Sequence, residues 1–220
     1  MKHNPLGMVP TIVSEATFKE DPSLGPIKPP VRESLVAIEF VDELVNGGDV
    51  PIMPSCPYER SKMRVAADVV NKQICSKYYH VLVRQDPAEQ REGFDALVSG
   101  LDTFGTELAG GPFYGGRTTP GLVDYALFPW AHRLPVFEHY RGKDFAIPTT
   151  TPGLKAYHEW LTTMESRPSV NKTCPPWEDY LKHIGRYADG SARSKVANAV
   201  GTRRQRQQHK HPPNTSTPRM

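Results

Sequence analysis

The sequence has few cysteines and no long apolar run, and each shortage excludes a class of protein. Its 220 residues include three cysteines, Cys56, Cys75 and Cys174, which is an odd number without metal-binding spacing. We therefore expect a reducing compartment and no disulfide framework. No apolar stretch approaches the roughly 20 residues that span a bilayer, and the N-terminus lacks the apolar core of a signal peptide. These absences predict a cytoplasmic protein without a membrane segment.

The net charge of +3 describes the C-terminal tail rather than the body of the chain. Of the 27 basic and 24 acidic residues, 8 and 1 lie in residues 186–220, which leaves 19 basic and 23 acidic residues elsewhere. A mildly acidic body gives no footprint for nucleic acid, so no such partner is predicted. The eight histidines show no pair with ligand spacing and a third partner, so no metal site is predicted.

Apolar spacing predicts a mostly helical chain that begins with a short extended part. Residues 9–13 are a predicted strand, and the proline-rich segment 14–30 that follows is an inserted loop or a sequence artefact. Ser34–Leu44 is predicted to be a helix buried along most of its length. Further helices are predicted over residues 58–83, 87–109, 122–139, 154–165, 177–187 and 192–200, with kinks or interruptions at Pro129 and Pro135. After about residue 201 the composition predicts disorder.

Four features follow one another in the order found in glutathione transferases. They are Val9-Pro10, Glu33-Ser34 at the start of an apolar helix, Pro57-Tyr58-Glu59-Arg60, and the run from Leu122 to Trp130. From about Asn4 to at least Tyr187 the sequence resembles the omega-like transferases, including their fungal relatives. The resemblance implies an α+β fold: a partial thioredoxin-like, glutathione-binding part over residues 1–50, an all-helical domain over 51–187, and a C-terminal extension over 188–220.

The resemblance also implies two subsites. A cis peptide before Pro10 would leave the Val9 backbone free to pair with glutathione, and Glu33-Ser34 at a helix start suits the γ-glutamyl carboxylate. An ordinary trans-proline and an ordinary helix cap are the alternatives. Arg133 and Trp177 match positions that line the hydrophobic co-substrate cleft, although a solvated arginine and a tryptophan that anchors the last helix fit the sequence equally well.

The sequence also departs from the family pattern, first of all in the part that carries the catalytic residue. The first strand, helix and second strand, which carry the catalytic residue in the family, have no counterpart before Asn4, so the catalytic residue is unknown. Cys56-Pro57-Tyr58 resembles a catalytic motif, but it follows the glutathione helix instead of preceding the proline, so we expect a structural Cys56. Gly121 stands where the family has a Ser or Thr cap. Asp124 is expected to stabilise its helix.

The predicted function is that of a glutathione transferase acting on a hydrophobic electrophile, with glutathione as co-substrate, in a fungal biosynthetic or detoxification pathway. A homodimer is expected if the N-terminal domain is complete. The alternatives are a non-catalytic module of the same fold that binds a ligand or a protein, and an incomplete gene product.

Overall fold

The N-terminal part of the chain contains a two-stranded antiparallel ladder. The structure, a computed structural model, describes residues 7, 9–13, 30–45 and 50–201. Strand β1 is Thr11–Ile12 and strand β2 is Val31–Arg32, with Thr11 opposite Arg32 and Ile12 opposite Val31. The strand predicted over residues 9–13 is confirmed at Thr11–Ile12. The predicted loop over 14–30 lies outside the described residues except for Pro30, and the predicted disordered tail lies outside them after Gly201.

Helix α1, Ser34–Leu44, has the predicted bounds but not the predicted burial. Ala37 is its one buried residue, and the side chains of Val36 and Val41 are 54% and 48% exposed. The apolar composition predicted burial on most sides of the helix. In the structure one side of α1 packs against the helical body, through residues such as Leu35 and Ile38. Among the described residues nothing covers its other apolar side. The prediction of a helix buried along most of its length was therefore wrong.

The first long helix of the body is interrupted by a π-helical turn. Helix α2, Pro57–Val70, passes through the π turn Asn71–Cys75 into α3, Ser76–Val83. Helix α4, Pro87–Thr106, is capped by Asp86, whose carboxylate accepts hydrogen bonds from the amides of Ala88 and Glu89. The predicted helices over residues 58–83 and 87–109 are confirmed apart from the π turn and small shifts at their ends.

Six further α-helices follow in the described part of the chain. The bounds are α5 Leu122–Ala131, α6 Pro135–Arg141, α7 Pro152–Glu165, α8 Pro168–Asn171, α9 Trp177–Ala188 and α10 Lys195–Val200. The two internal prolines differ in effect. Pro129 lies within α5, whereas Pro135 begins a new helix, where its missing N–H costs no helical hydrogen bond. Residues 122–139 therefore form two helices instead of one.

The core lies where α4 packs between α3 and α7. Its largest buried side chains are aromatic: Trp160, Tyr78, Tyr157, Phe94, Phe104 and Phe137. Two glycines allow α4 and α7 to approach closely, because a Cβ at Gly105 would overlap the carbonyl oxygen of Gly153. The chain is thus an α+β protein that is mostly helical, and no helix in its described part is long and apolar enough to cross a membrane.

Candidate functional site

The β1–β2 ladder brings the four residues predicted to bind glutathione to one end of the strands. Val9 and Pro10 immediately precede β1, and Glu33 and Ser34 immediately follow its antiparallel partner β2. The peptide between Val9 and Pro10 is cis, as predicted. Val9 is 89% exposed, and Glu33 and Ser34 are also exposed. Residues that are more than twenty positions apart in sequence therefore meet on an open surface.

The N-terminus of α1 forms one side of this surface and has no side-chain cap. Glu33 occupies the N-cap position, but its side chain makes no capping hydrogen bond, and no acidic residue lies in the first turn. The backbone of Glu33 has a φ of 72°, a left-handed conformation that is strained for a residue with a side chain. Amides without a cap and the positive end of a helix dipole favour a carboxylate ligand.

Ion pairs attach α1 to α2 behind this surface. The Arg64 guanidinium donates to both carboxylate oxygens of Glu39, with its Nη2 at 2.6 Å, and Arg60 Nη2 lies 2.6 Å from the Glu43 carboxylate. The pKa of Arg64 is raised, first by its hydrogen bond to Glu39. These exposed contacts orient the helix that presents Ser34.

The second predicted pair, Arg133 and Trp177, meets around Tyr180. The Arg133 guanidinium lies 5.6 Å from the centre of the Tyr180 ring and 5.9 Å from that of Trp130. The Trp177 ring lies 5.6 Å from the Tyr180 ring at an angle of 34°. The structure therefore brings a cation and three aromatic rings together at the start of α9.

Hydrogen bonds to buried groups set the position of α9. The Tyr180 hydroxyl bonds the hydroxyl of Tyr78, and burial is the main cause that raises the pKa of both phenols. Arg141 donates through Nη2 to the carbonyl oxygens of Leu82, at 2.5 Å, and Ala188, at 2.8 Å. Because these bonds tie α9 to α3, Tyr180 faces Arg133 in a defined orientation.

Sequence reasoning missed Tyr180 and Tyr78 as parts of this cluster. Tyr180 follows Trp177 by three residues, which places both on one face of a helix, so this spacing could have identified it. Tyr78 lies in α3, and only the fold brings it to α9. Helix α1 contacts α5, and Trp130 of α5 contacts Arg133, so α5 connects the two groups of predicted site residues.

A groove of about 630 Å³ lies on the helical body. It runs along α2 and the turn at Tyr114–Gly116, and its lining includes Met63, Val65, Val69, Lys62, Glu107 and Arg117. None of the six residues predicted for the two subsites lines it.

The three cysteines differ in accessibility. Cys56 is exposed at the N-cap of α2, Cys75 is buried in the π turn, and Cys174 is half-buried with its Sγ 3.5 Å from the carbonyl oxygen of Val170. Burial raises the pKa of Cys75 to about 12, so its thiol is protonated at neutral pH. Cys75 therefore behaves as a small buried apolar residue.

Asp124 has the structural role predicted for it at the start of α5. Its fully buried carboxylate accepts hydrogen bonds from the amides of Gly121 (2.7 Å) and Tyr114 (3.1 Å) and from the indole of Trp160 (2.8 Å). Burial raises its pKa, and the three hydrogen bonds oppose that rise. Within the described ranges no three His, Cys, Asp or Glu side chains are grouped to hold a metal ion.

Comparison with known proteins identifies relatives of the chain. Residues 87–159 match the family described as glutathione S-transferase, C-terminal domain. Glutathione transferase GST 23 of Zea mays is 31% identical over 158 residues, which cover 71% of this chain and 64% of the maize protein. Glutathione S-transferase U19 of Arabidopsis thaliana is 31% identical over 155 residues, covering 70% and 67%. The chain thus spans about two thirds of the length of these curated relatives.

A solved structure shows a similar fold over most of the chain. Glutathione transferase Omega 3C from Trametes versicolor superposes with a TM-score of 0.66 and 25% identity, and the match covers 88% of this chain and 75% of the Trametes chain. This likeness confirms the predicted fold class, a partial thioredoxin-like N-terminal part followed by an all-helical domain.

Proposed function

The chain belongs to the glutathione S-transferase family, and we propose that it binds glutathione at Val9, Pro10, Glu33 and Ser34. The register of the β1–β2 ladder carries this proposal, because it brings an exposed strand end to the uncapped N-terminus of α1. The Val9 backbone would pair with the cysteinyl backbone of glutathione. The amides and hydroxyl at Ser34 would bind the γ-glutamyl carboxylate.

We propose a hydrophobic electrophile as second substrate, bound around Arg133 and Trp177. In the transfer step the glutathione sulfur would form a bond to the electrophilic atom as a thiolate, and a leaving group would depart with its electron pair. The order of the motifs and the 25% identity to the Trametes omega protein support an omega-like, fungal type. We also propose that the protein is a cytoplasmic homodimer, that it acts in biosynthesis or detoxification, and that its two domains divide near residue 50.

Isothermal titration calorimetry of the whole chain with reduced glutathione tests the glutathione site. Ser34→Ala removes one hydroxyl that would bond a charged carboxylate, so we expect about tenfold weaker binding. Ser99→Ala is the matched control, since Ser99 is exposed on α4. The proposal would be wrong if the unaltered chain failed to bind glutathione, or if Ser34→Ala bound it as tightly as Ser99→Ala does.

A second candidate function is a glutathione-binding module without turnover. In the described part of the chain, every cysteine and tyrosine with a shifted pKa has it raised, which disfavours the thiolate or phenolate that transfer chemistry uses. A thiol-transfer assay beside the calorimetry separates the two functions. Binding without turnover would support the module, and turnover would support the enzyme. Turnover lost in Cys56→Ser would show that our structural assignment of Cys56 is wrong.

A further inference from the structure

Arg133 is a cation whose charge no neighbouring carboxylate balances. The ion pairs among the described residues involve other arginines, such as Arg60, Arg64, Arg84 and Arg91, and none includes Arg133. Its guanidinium contacts the rings of Trp130 and Tyr180 instead. Ring faces attract a cation but leave its N–H groups without acceptors.

The N–H groups of Arg133 are open to a ligand. They donate to no described acceptor, and they are not among the buried polar atoms that lack a partner, so they reach solvent. Arg141 provides a contrast in the same region, because its guanidinium donates three hydrogen bonds to carbonyl oxygens of α3 and α9. Arg133 thus has donors and charge available at the surface.

An aromatic surface lies next to this cation. Trp177 is 36% exposed and packs beside Tyr180, which is fixed in turn by its hydrogen bond to Tyr78. The nearby acidic residues of α9, Glu178 and Asp179, are exposed, and Asp179 lies 3.7 Å from Lys182. A planar ring on Trp177 could therefore carry a negative group to Arg133.

We propose that the substrate subsite selects aromatic compounds that bear a carboxylate or a similar anionic group, with Arg133 binding the anion and Trp177 the ring. This inference rests on the proposed substrate cleft and specifies its chemistry. A neutral electrophile would displace water from the Arg133 guanidinium without replacing the hydrogen bonds of that water, and this loss costs binding free energy. An anionic group restores them, and a planar carboxylate matches the two-pronged geometry of the guanidinium.

The test compares two probes of the same shape, 1-naphthoate and 1-naphthamide, by calorimetry on the whole chain without glutathione. We expect the unaltered protein to bind naphthoate about tenfold more tightly, as a hydrogen-bonded charge pair predicts. Arg133→Gln should bring the two affinities together. Trp177→Ala should weaken both by a similar factor. Arg186→Gln, an exposed arginine of α9, should keep the tenfold preference.

An equal preference for naphthoate in Arg133→Gln and in the unaltered protein would overturn the proposal, and so would a protein that binds neither probe. Thermal unfolding of Arg133→Gln confirms that the variant is folded. Because glutathione is left out, failure here is distinct from failure of the glutathione site, which its own titration detects.

Discussion

Asp124 connects three parts of the fold through one buried carboxylate, and its removal should be among the most damaging single changes. The carboxylate accepts one hydrogen bond each from Gly121, Tyr114 and Trp160. Asp124→Ala would leave all three donors buried without an acceptor. Asp124→Asn would keep one oxygen, but its NH₂ group would face the Gly121 amide, which now donates to Oδ2.

Each buried donor that loses its acceptor costs about 1–3 kcal/mol, and loss of the carboxylate also removes its own desolvation cost. We therefore expect Asp124→Ala to lower the free energy of unfolding by about 4 kcal/mol, and Asp124→Asn by about 2 kcal/mol. Asp95→Asn is the matched control. Asp95 is exposed and pairs with Arg91, so its loss should cost about 0.5 kcal/mol or less.

Urea unfolding at pH 7, followed by circular dichroism, measures these differences. A double-mutant cycle with Trp160→Phe isolates one hydrogen bond, because the cavity left by the smaller ring is present in both backgrounds. Trp160→Phe should cost about 1.5 kcal/mol less in the Asp124→Ala background, where the indole has already lost its acceptor. A coupling energy near zero, or an Asp124→Ala variant as stable as Asp95→Asn, would refute this account of Asp124.

Three further predictions concern other parts of the chain. Gly105→Ala should destabilise the protein by about 3 kcal/mol in urea unfolding, since its methyl group would force α4 away from Gly153. Ser99→Ala, at an exposed position of the same helix, is the control and should cost about 0.5 kcal/mol or less. After treatment with iodoacetamide at pH 8, mass spectrometry should find Cys56 modified while Cys75 stays unmodified until denaturant is added. The reason is that a pKa of about 12 lowers the thiolate fraction of Cys75 roughly a thousandfold. Equal rates of modification of the two cysteines would contradict this. Glu33→Gly should raise stability by about 1 kcal/mol by relieving the φ of 72°, and weaken glutathione binding; lower stability would show that the backbone is not strained.

Local sequence signals predicted the elements better than their surroundings. The bounds of α1 follow from its apolar run and the Asn46-Gly47-Gly48 stop, and the structure agrees at both ends. Burial depends on what packs against a helix, so composition alone could not show that Val36 and Val41 are exposed. The π turn at Asn71–Cys75 was also beyond prediction, because one wider turn hardly changes the apolar period.

The residues of the candidate site were predictable only as separate pieces. Val9-Pro10 and Glu33-Ser34 each fit a common structural role when taken alone. The family resemblance assigned both to one site, and the β1–β2 ladder brings them to the same end of the strands. Arg133 was ambiguous for a different reason. A solvated arginine and a substrate-binding arginine have the same sequence signature, and only the absence of a carboxylate beside its guanidinium in the described structure favours binding.

The two proposed subsites differ in how firmly the fold supports them. The proposed substrate subsite around Arg133 and Trp177 rests on buried contacts, which are the Tyr78–Tyr180 hydrogen bond and the bonds of Arg141 to α3 and α9. The proposed glutathione subsite rests on a two-residue ladder, on the packing of α1 through residues such as Leu35 and Ile38, and on exposed ion pairs, each of which contributes about 0–1 kcal/mol. Local opening should therefore begin at α1 while the helical body stays folded. We therefore expect the proposed substrate subsite to keep its structure, and its affinity for naphthoate, under conditions in which α1 has opened and glutathione no longer binds.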